Sequence, residues 1–316
     1  MRNRLRRESV DLNGVIPANI LPLDDDLSID VEAYRRHVRH LAGITGVVAI
    51  TCNGHAAEVS SLDRAERRKA VALAAETING KVPLISGVYA DNHIQAVEYA
   101  RDAKDEGADA LLVFPLPALA LGGSQEMGYR HVAELAGATG LPLVLFSYPE
   151  FTGMHYGLDT LARICSLEQV VAVKEWSLDL RKHEETRRVL RELDHPVSLL
   201  TSFSTNLLPA LASGADGILS GHGSVIADLQ VRLLAAVRAH DLAEAERQYA
   251  RIQALTRVIY RAPMANMYAR MKEHLIMLGH ELGPAVRPPL ERVSEAERGQ
   301  LRQALAEAGL LPTGAR

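Results

Sequence analysis

From Gly14 to about Gly223, short β-rich apolar runs alternate with longer amphipathic stretches, the pattern of repeated βα units. The runs are Val15 to Ile20, Val47 to Thr51, Leu84 to Val88, Ala110 to Phe114, Leu143 to Tyr148, Val170 to Trp176, Val197 to Ser202 and Gly217 to Ser220. Nearly unbroken apolar segments such as Ala110-Leu-Leu-Val-Phe114 fit strands of a parallel sheet covered on both faces. Helix signals punctuate the intervening stretches, for example Ser61-Leu62-Asp63 ahead of Arg64 to Ile78, with Gly80 after it. Eight such units close most naturally into a (β/α)8 TIM barrel. A doubly wound sheet usually needs fewer strands and a glycine-rich first turn, and Asn19-Ile20-Leu21-Pro22 offers none.

Beyond Gly223 the pattern becomes wholly helical: Val225 to His240, Asp241 to Ile259, Ala265 to Leu278 and Ser294 to Ala308. The first stretch completes the eighth βα unit. The others form a C-terminal helical segment containing an extended linker, Val286-Arg-Pro-Pro-Leu290. The expected organisation is a flexible N-terminus over 1–12, a barrel over 13–240 and the helical segment over 241–316.

Composition narrows the function. A chain of 316 residues with 47% hydrophobic and 23% charged residues buries a sizeable core, and a barrel of ~250 residues with added helices accommodates that length. The net charge of −4 lacks the basic excess that nucleic acid or an anionic membrane demands. Arg2, Arg4, Arg6 and Arg7 cluster at the start, in a stretch too short for a mitochondrial presequence and without the apolar core of a secretory signal. No apolar run reaches the ~18 residues of a membrane span. Cys52 and Cys165, the two cysteines, are too few and too far apart for a disulfide framework or a thiolate zinc site. A reduced, cytoplasmic protein is expected, with a small molecule as its partner.

Chemistry in such barrels gathers where the strands end, at their C-terminal side. There, Val170-Val-Ala-Val-Lys174-Glu175-Trp176 places a lysine within an apolar strand. If Ala172, Lys174 and Trp176 share the inward face, the ammonium lies inside the barrel. Burial disfavours the charged form and frees an amine that attacks a ketone. The plainer reading is a lysine that snorkels to the rim or pairs with Glu175.

The chain resembles the dihydrodipicolinate synthase/N-acetylneuraminate lyase family from Gly14 to about Ser294. The matching segments are Gly14-Val-Ile-Pro-Ala18, Gly87-Val88, Val173-Lys174-Glu175, Leu208-Pro-Ala-Leu-Ala-Ser-Gly-Ala-Asp-Gly-Ile218 and Val286-Arg-Pro-Pro-Leu290. The resemblance implies a (β/α)8 barrel, a homotetramer or homodimer, and catalysis through a lysine Schiff base, Lys174, without metal or other cofactor.

Departures from the family pattern are informative. Its Gly-Thr-Thr-Gly-Glu loop, which holds the carboxylate of a 2-oxo acid, appears as Thr51-Cys52-Asn53-Gly54-His55, followed by Ala56-Ala57-Glu58. Asn53 and the amides around Gly54 can still donate to a carboxylate, with Cys52 a weaker donor. The family's catalytic tyrosine corresponds to Phe146, which relays no proton. A second tyrosine is lost at Pro115-Leu116-Pro117, and the arginine that grips aspartate semialdehyde becomes Phe151. Dihydrodipicolinate synthesis is therefore not the expected activity.

Substitute acids and bases are Tyr148, two residues beyond Phe146 on the same strand face, and His55; Tyr89 is a further candidate. Substrate-binding candidates are Cys52, Asn53, Gly54, Phe146, Trp176, Ser202 and His222. His55, Glu58 and His222 form a conceivable metal set without distinctive spacing, and Gly221-His-Gly-Ser224 a conceivable phosphate turn. The expected function is a class I lyase that makes or breaks a C–C bond. The alternatives are a dehydratase or deaminase of a 2-oxo or 3-deoxy sugar acid in the same site, and a non-catalytic 2-oxo acid sensor. Leu116, Phe146, Phe151, Trp176 and Phe203, expected at the mouth, favour apolar substrates over polyhydroxylated ones.

Overall fold

The computed structural model describes residues 10–202 and 204–311; Arg2, Arg4, Arg6, Arg7 and Phe203 lie outside the described residues. The strands are β1 (Val15–Pro17), β2 (Ile50–Cys52), β3 (Leu84–Val88), β4 (Ala110–Val113), β5 (Leu143–Ser147), β6 (Val170–Glu175), β7 (Ser198–Thr201) and β8 (Gly217–Ser220). They form one parallel eight-stranded sheet in the order β1-β8-β7-β6-β5-β4-β3-β2. Parallel bridges from Val15 to Val47 and from Ala18 to Thr51 draw its edges together. The barrel is thus nearly closed, as the eightfold alternation predicts.

The helices are α1 (Val31–Gly43), α2 (Arg64–Ile78), α3 (His93–Asp105), α4 (Gln125–Thr139), α5 (Leu158–Cys165), α6 (Leu180–Arg191), α7 (Leu207–Ala212), α8 (Gly223–Arg238), α9 (Leu242–Ile259), α10 (Met267–Met277) and α11 (Glu295–Glu307). Local chemistry starts several of them. Asp63 caps α2 and forms a reciprocal capping box with Glu66, while Asp30, Asn92, Asp241 and Ser294 cap α1, α3, α9 and α11. Among the described residues no helix is long and apolar enough to cross a membrane.

Strand alternation separates two layers of core. Ile16, Ala49, Ile85, Leu112, Val144, Phe146 and Ala172 fill the barrel interior, whereas Val15, Ile50, Cys52, Leu111, Leu145 and Val173 meet the helices outside. Leu12, assigned by sequence to the flexible N-terminus, is buried in the interior layer. The packed chain therefore begins earlier than residue 13. At the opposite end, α10 packs on residues of the first two βα loops, with Met271 and Leu275 meeting Ile20 and Ala56. The helical segment is thus also a cover for the barrel, which its sequence pattern did not indicate.

The loop after β2 carries several candidate residues and is held by buried Arg67. This guanidinium donates to the carbonyls of Leu62 and Val59, each at 3.0 Å, and to that of Tyr89. Gly87 on β3 permits the loop's close approach, because a Cβ there would lie 2.0 Å from the Asn53 carbonyl oxygen. Overpacking costs ~1–3 kcal/mol, and roughly 2–4 °C accompanies each kcal/mol in a large domain. Calorimetry should therefore show Gly87→Ala lowering Tm by several degrees. Gly299→Ala, where nothing lies within 4 Å, should not lower it. Equal melting of Gly87→Ala and the parent would show that the loop yields freely.

Candidate active site

Lys174 projects from β6 into the barrel above Phe146. It is 4% exposed, and its Nζ lies 3.6 Å from the centroid of the Phe146 ring. Glu175 faces the other way, accepting from the Ser177 backbone N–H at 2.6 Å and standing 3.2 Å from His183 Nδ1. It cannot pair with its neighbour, and the chain alternation that aims the lysine inward is the reason. No acceptor among the described residues hydrogen-bonds the lysine nitrogen. Burial, with only a ring face as cation partner, pushes the Lys174 pKa down to about 7. An appreciable share of the chains therefore carries a neutral amine at neutral pH.

His55 is the first residue of a 3-10 turn, His55–Ala57, after β2. Its imidazole Nε2 is hydrogen-bonded to the Tyr148 hydroxyl, and its ring meets Phe114 edge-on at 4.9 Å and Phe146 at 5.8 Å. Burial lowers the His55 pKa to about 3, helped by the nearby Lys174, and raises that of Tyr148 well above its ordinary value. The pair is therefore a neutral imidazole hydrogen-bonded to a neutral phenol. The backbone N–H groups of His55 and Ala56 meet no acceptor among the described residues.

Lys174, His55, Phe146, Trp176 and Ser202 share a chamber of about 40 Å3 with Ala18, Ala56 and Gly221. Its roof comes from Tyr260, Met267 and Met271 of the C-terminal segment. One water needs ~10–15 Å3, so the chamber suits a compact group. Outside it lies a vestibule of about 340 Å3, bounded by Leu178, Ser204, Thr205 and Met264 and sharing Trp176, Ser202 and Tyr260 with the chamber. Larger molecules must extend into this second space.

The structure thus gathers Lys174, His55, Tyr148, Phe146, Trp176 and Ser202, and corrects other expectations. Cys52 faces the helix layer with Ile50; it is fully buried, and burial pushes its thiol up to about 12. Asn53 also turns outward, donating to the Arg67 carbonyl at 3.1 Å and lying 3.4 Å from Ser86 Oγ. Neither side chain lines the chamber. Gly54 serves by its backbone, leading into the His55 turn. His222 is sealed behind Tyr260, with ring centroids 5.7 Å apart and Thr256 Oγ1 3.5 Å from Nδ1. Glu58 pairs with Lys272 instead of converging with His55 and His222 on a metal.

Tyr89 stacks edge-on against Phe114 at 5.5 Å, behind the chamber. Leu116 is buried elsewhere, and Phe151 is 79% exposed on a turn, so neither forms the inner mouth. Tyr260, Met267 and Met271 were missed because nothing local in the sequence ties a helical segment to strands a hundred residues away. The parity of β2 would have excluded Cys52, since Ile50 two residues earlier is a helix-facing apolar position.

The site is thus a nearly closed eightfold barrel whose C-terminal mouth holds a lysine with no hydrogen-bonding acceptor among the described residues and a neutral imidazole–phenol pair. Residues 11–308 match the model of the dihydrodipicolinate synthetase family. The match makes it a barrel of the lyase class, and the chain belongs to that family. A 4-hydroxy-tetrahydrodipicolinate synthase of Methanopyrus kandleri is 32% identical over 308 residues, covering 96% of this chain and 98% of the relative. Among solved structures, a monomeric dihydrodipicolinate synthase variant has TM-score 0.87 at 25% identity, covering 94% of this chain and 97% of that one. The dihydrodipicolinate synthase of Thermotoga maritima has TM-score 0.85 at 26% identity, covering 94% and 99%. The family and fold expected from the sequence motifs hold.

Lys174 has a measurable cost to the fold. Its folded-state value of about 7 lies below the ordinary 10.5, so between those limits the unfolded chain binds the extra proton. Stability rises with pH across this window, and the penalty is complete at pH 7 and below. Lys174→Met should therefore melt above the parent. The gap should be widest below pH 7 and narrow towards pH 10.5. Melting curves from pH 6 to 10 test this; a gap independent of pH would refute the buried, depressed amine.

Proposed function

We propose that the chain is a class I lyase in which Lys174 condenses with pyruvate or a related 2-oxo acid. The observation that carries this is the buried, unpaired Lys174 amine in the wall of the chamber. The amine attacks the C2 ketone, water leaves, and an iminium forms. As the C3–C4 bond of a 4-hydroxy substrate breaks, its electron pair moves into the iminium to give an enamine. The hydroxyl proton passes to a base and the C4 fragment leaves as an aldehyde. Protonation at C3 and hydrolysis then return pyruvate and free Lys174; bond formation is the reverse.

His55 and Tyr148 are the acid–base pair in this reading, one step removed from the family's tyrosine at the position of Phe146. Their hydrogen bond is the support for this assignment. The free N–H groups at His55 and Ala56 are the assigned seat of the 2-oxo acid carboxylate. Assembly as a homodimer or homotetramer belongs to the same reading. The monomeric synthase variant among the solved relatives means that the fold alone does not set assembly.

The activity we assign is not dihydrodipicolinate synthesis, although the Methanopyrus relative bears that synthase's name. The family's carboxylate-gripping arginine is here Phe151, exposed on its turn. The chamber walls are Phe146, Trp176, Tyr260, Met267 and Met271. Such walls gain ~25 cal/mol per Å2 of apolar surface buried but leave each unmatched sugar hydroxyl at a cost of ~1–3 kcal/mol.

Borohydride reduction with pyruvate should add one reduced adduct at Lys174, found by peptide mass spectrometry, and none in Lys174→Ala. Trapping should accelerate as pH rises through about 7 and then level, because the neutral amine attacks. Tyr148→Phe should slow turnover by ~100-fold or more while reducing trapping less. Adduct at another residue ends the mechanism; full activity of Tyr148→Phe with an inactive His55→Ala moves the acid–base role to His55 alone.

Substrate class is tested in a parallel assay. Aryl- or alkyl-substituted 2-oxo acids or aldehydes should exceed sialic acid and aspartate semialdehyde in kcat/KM. Efficient cleavage of a sugar-derived acid, with none of a benzylidene-type pyruvate, would reverse the apolar assignment and leave Lys174 untouched.

A further inference from the structure

The chamber's catalytic turn and its roof share a fastening outside the chamber. Glu58 closes the 3-10 turn that begins at His55, its backbone N–H donating to the His55 carbonyl at 2.8 Å. It does so with φ of 53°, in the left-handed region that side chains other than glycine seldom adopt. Its carboxylate is buried and fully engaged: Lys272 Nζ donates to Oε1 at 2.7 Å and the Arg287 backbone N–H donates to Oε2 at 2.9 Å. Lys272, also fully buried, donates a second bond to the Ala285 carbonyl at 2.6 Å. The turn after β2 and two stretches of the C-terminal segment, more than 200 residues away, therefore meet at one carboxylate.

Two of these segments line the chamber. The Glu58 turn carries His55 and Ala56, and α10 carries Met267 and Met271, the latter adjacent to Lys272. We propose that the Glu58–Lys272 pair is a positioning device that sets His55 against Tyr148 and holds the methionine roof at its height over Lys174. This rests on the proton-transfer role given to His55 above. An ion pair stripped of water adds little net adhesion, since apolar side chains of similar volume hold segments together as well. What it supplies is direction. Paired donors and acceptors tolerate little displacement, as acid–base geometry requires.

The test uses the full chain with two variants: Lys272→Met, and Glu58→Gln combined with Lys272→Met, which leaves no unpaired buried charge if the single change prevents folding. Imidazole 15N signals of His55, identified by their loss in His55→Ala, are recorded without substrate. Deuterium uptake from solvent into the methyl group of pyruvate is then compared with borohydride trapping at Lys174. In a folded variant the His55 signals should shift, and methyl exchange should fall by ~10-fold or more relative to trapping. A merely structural pair would lower exchange and trapping together with the folded fraction.

His55 signals coincident with the parent's in either folded variant would overturn the proposal, as would exchange and trapping falling in proportion. If pyruvate is not trapped in the parent chain, the Schiff-base reading fails. The His55 signals still decide the positioning role in that case.

Discussion

An ammonium placed in an apolar barrel without a countercharge is the constraint around which this molecule is arranged. Charge burial of this kind is tolerated when the group can lose its proton or find weak partners. Among the described residues Lys174 has the face of Phe146 and no carboxylate, since Glu175 is committed to His183 on the other side of the sheet. The same strand alternation that isolates the lysine therefore weakens its hold on the proton. The rest of the fold supplies the rigidity that keeps the amine from escaping to the rim: packed helices outside, an aromatic floor beneath and a cover above.

The neighbours of Lys174 follow the same economy of charge. His55 and Tyr148 are both held neutral by burial, so among the described residues the chamber lining holds dipoles and the Lys174 amine but no carboxylate. Two solved relatives within the family share the backbone to TM-scores of 0.87 and 0.85 at about a quarter sequence identity. The fold is thus kept while most side chains differ.

Much of the barrel was legible because its strands are buried on both faces and its helices carry explicit caps, so local pattern and final structure coincide. Lys174, Phe146, Trp176 and Tyr148 were legible for a related reason: alternation along one strand fixes which side chains share a face. Cys52 and Asn53 were misplaced because a loop motif was read by residue type without applying that parity. His222 was misplaced because a turn flanked by glycines looks exposed until the covering residue, Tyr260, is known. The methionine roof was invisible, since its assignment depends on contacts between α10 and the first two βα loops that no local periodicity encodes.

The floor and the roof of the chamber come from parts of the chain that fold by different rules. Phe146, Lys174 and Trp176 are fixed by strand register, in which a shift of one residue would turn every side chain over. Met267 and Met271 sit on a helix held through Lys272, where flexible thioethers can be exchanged for other side chains without moving the backbone. The buried lysine and the space above it are thereby separable in heredity. Substitutions at Met267 or Met271 can reshape what the chamber admits while Lys272 and the Glu58 turn stay in place, so the space above the lysine varies more readily than its floor.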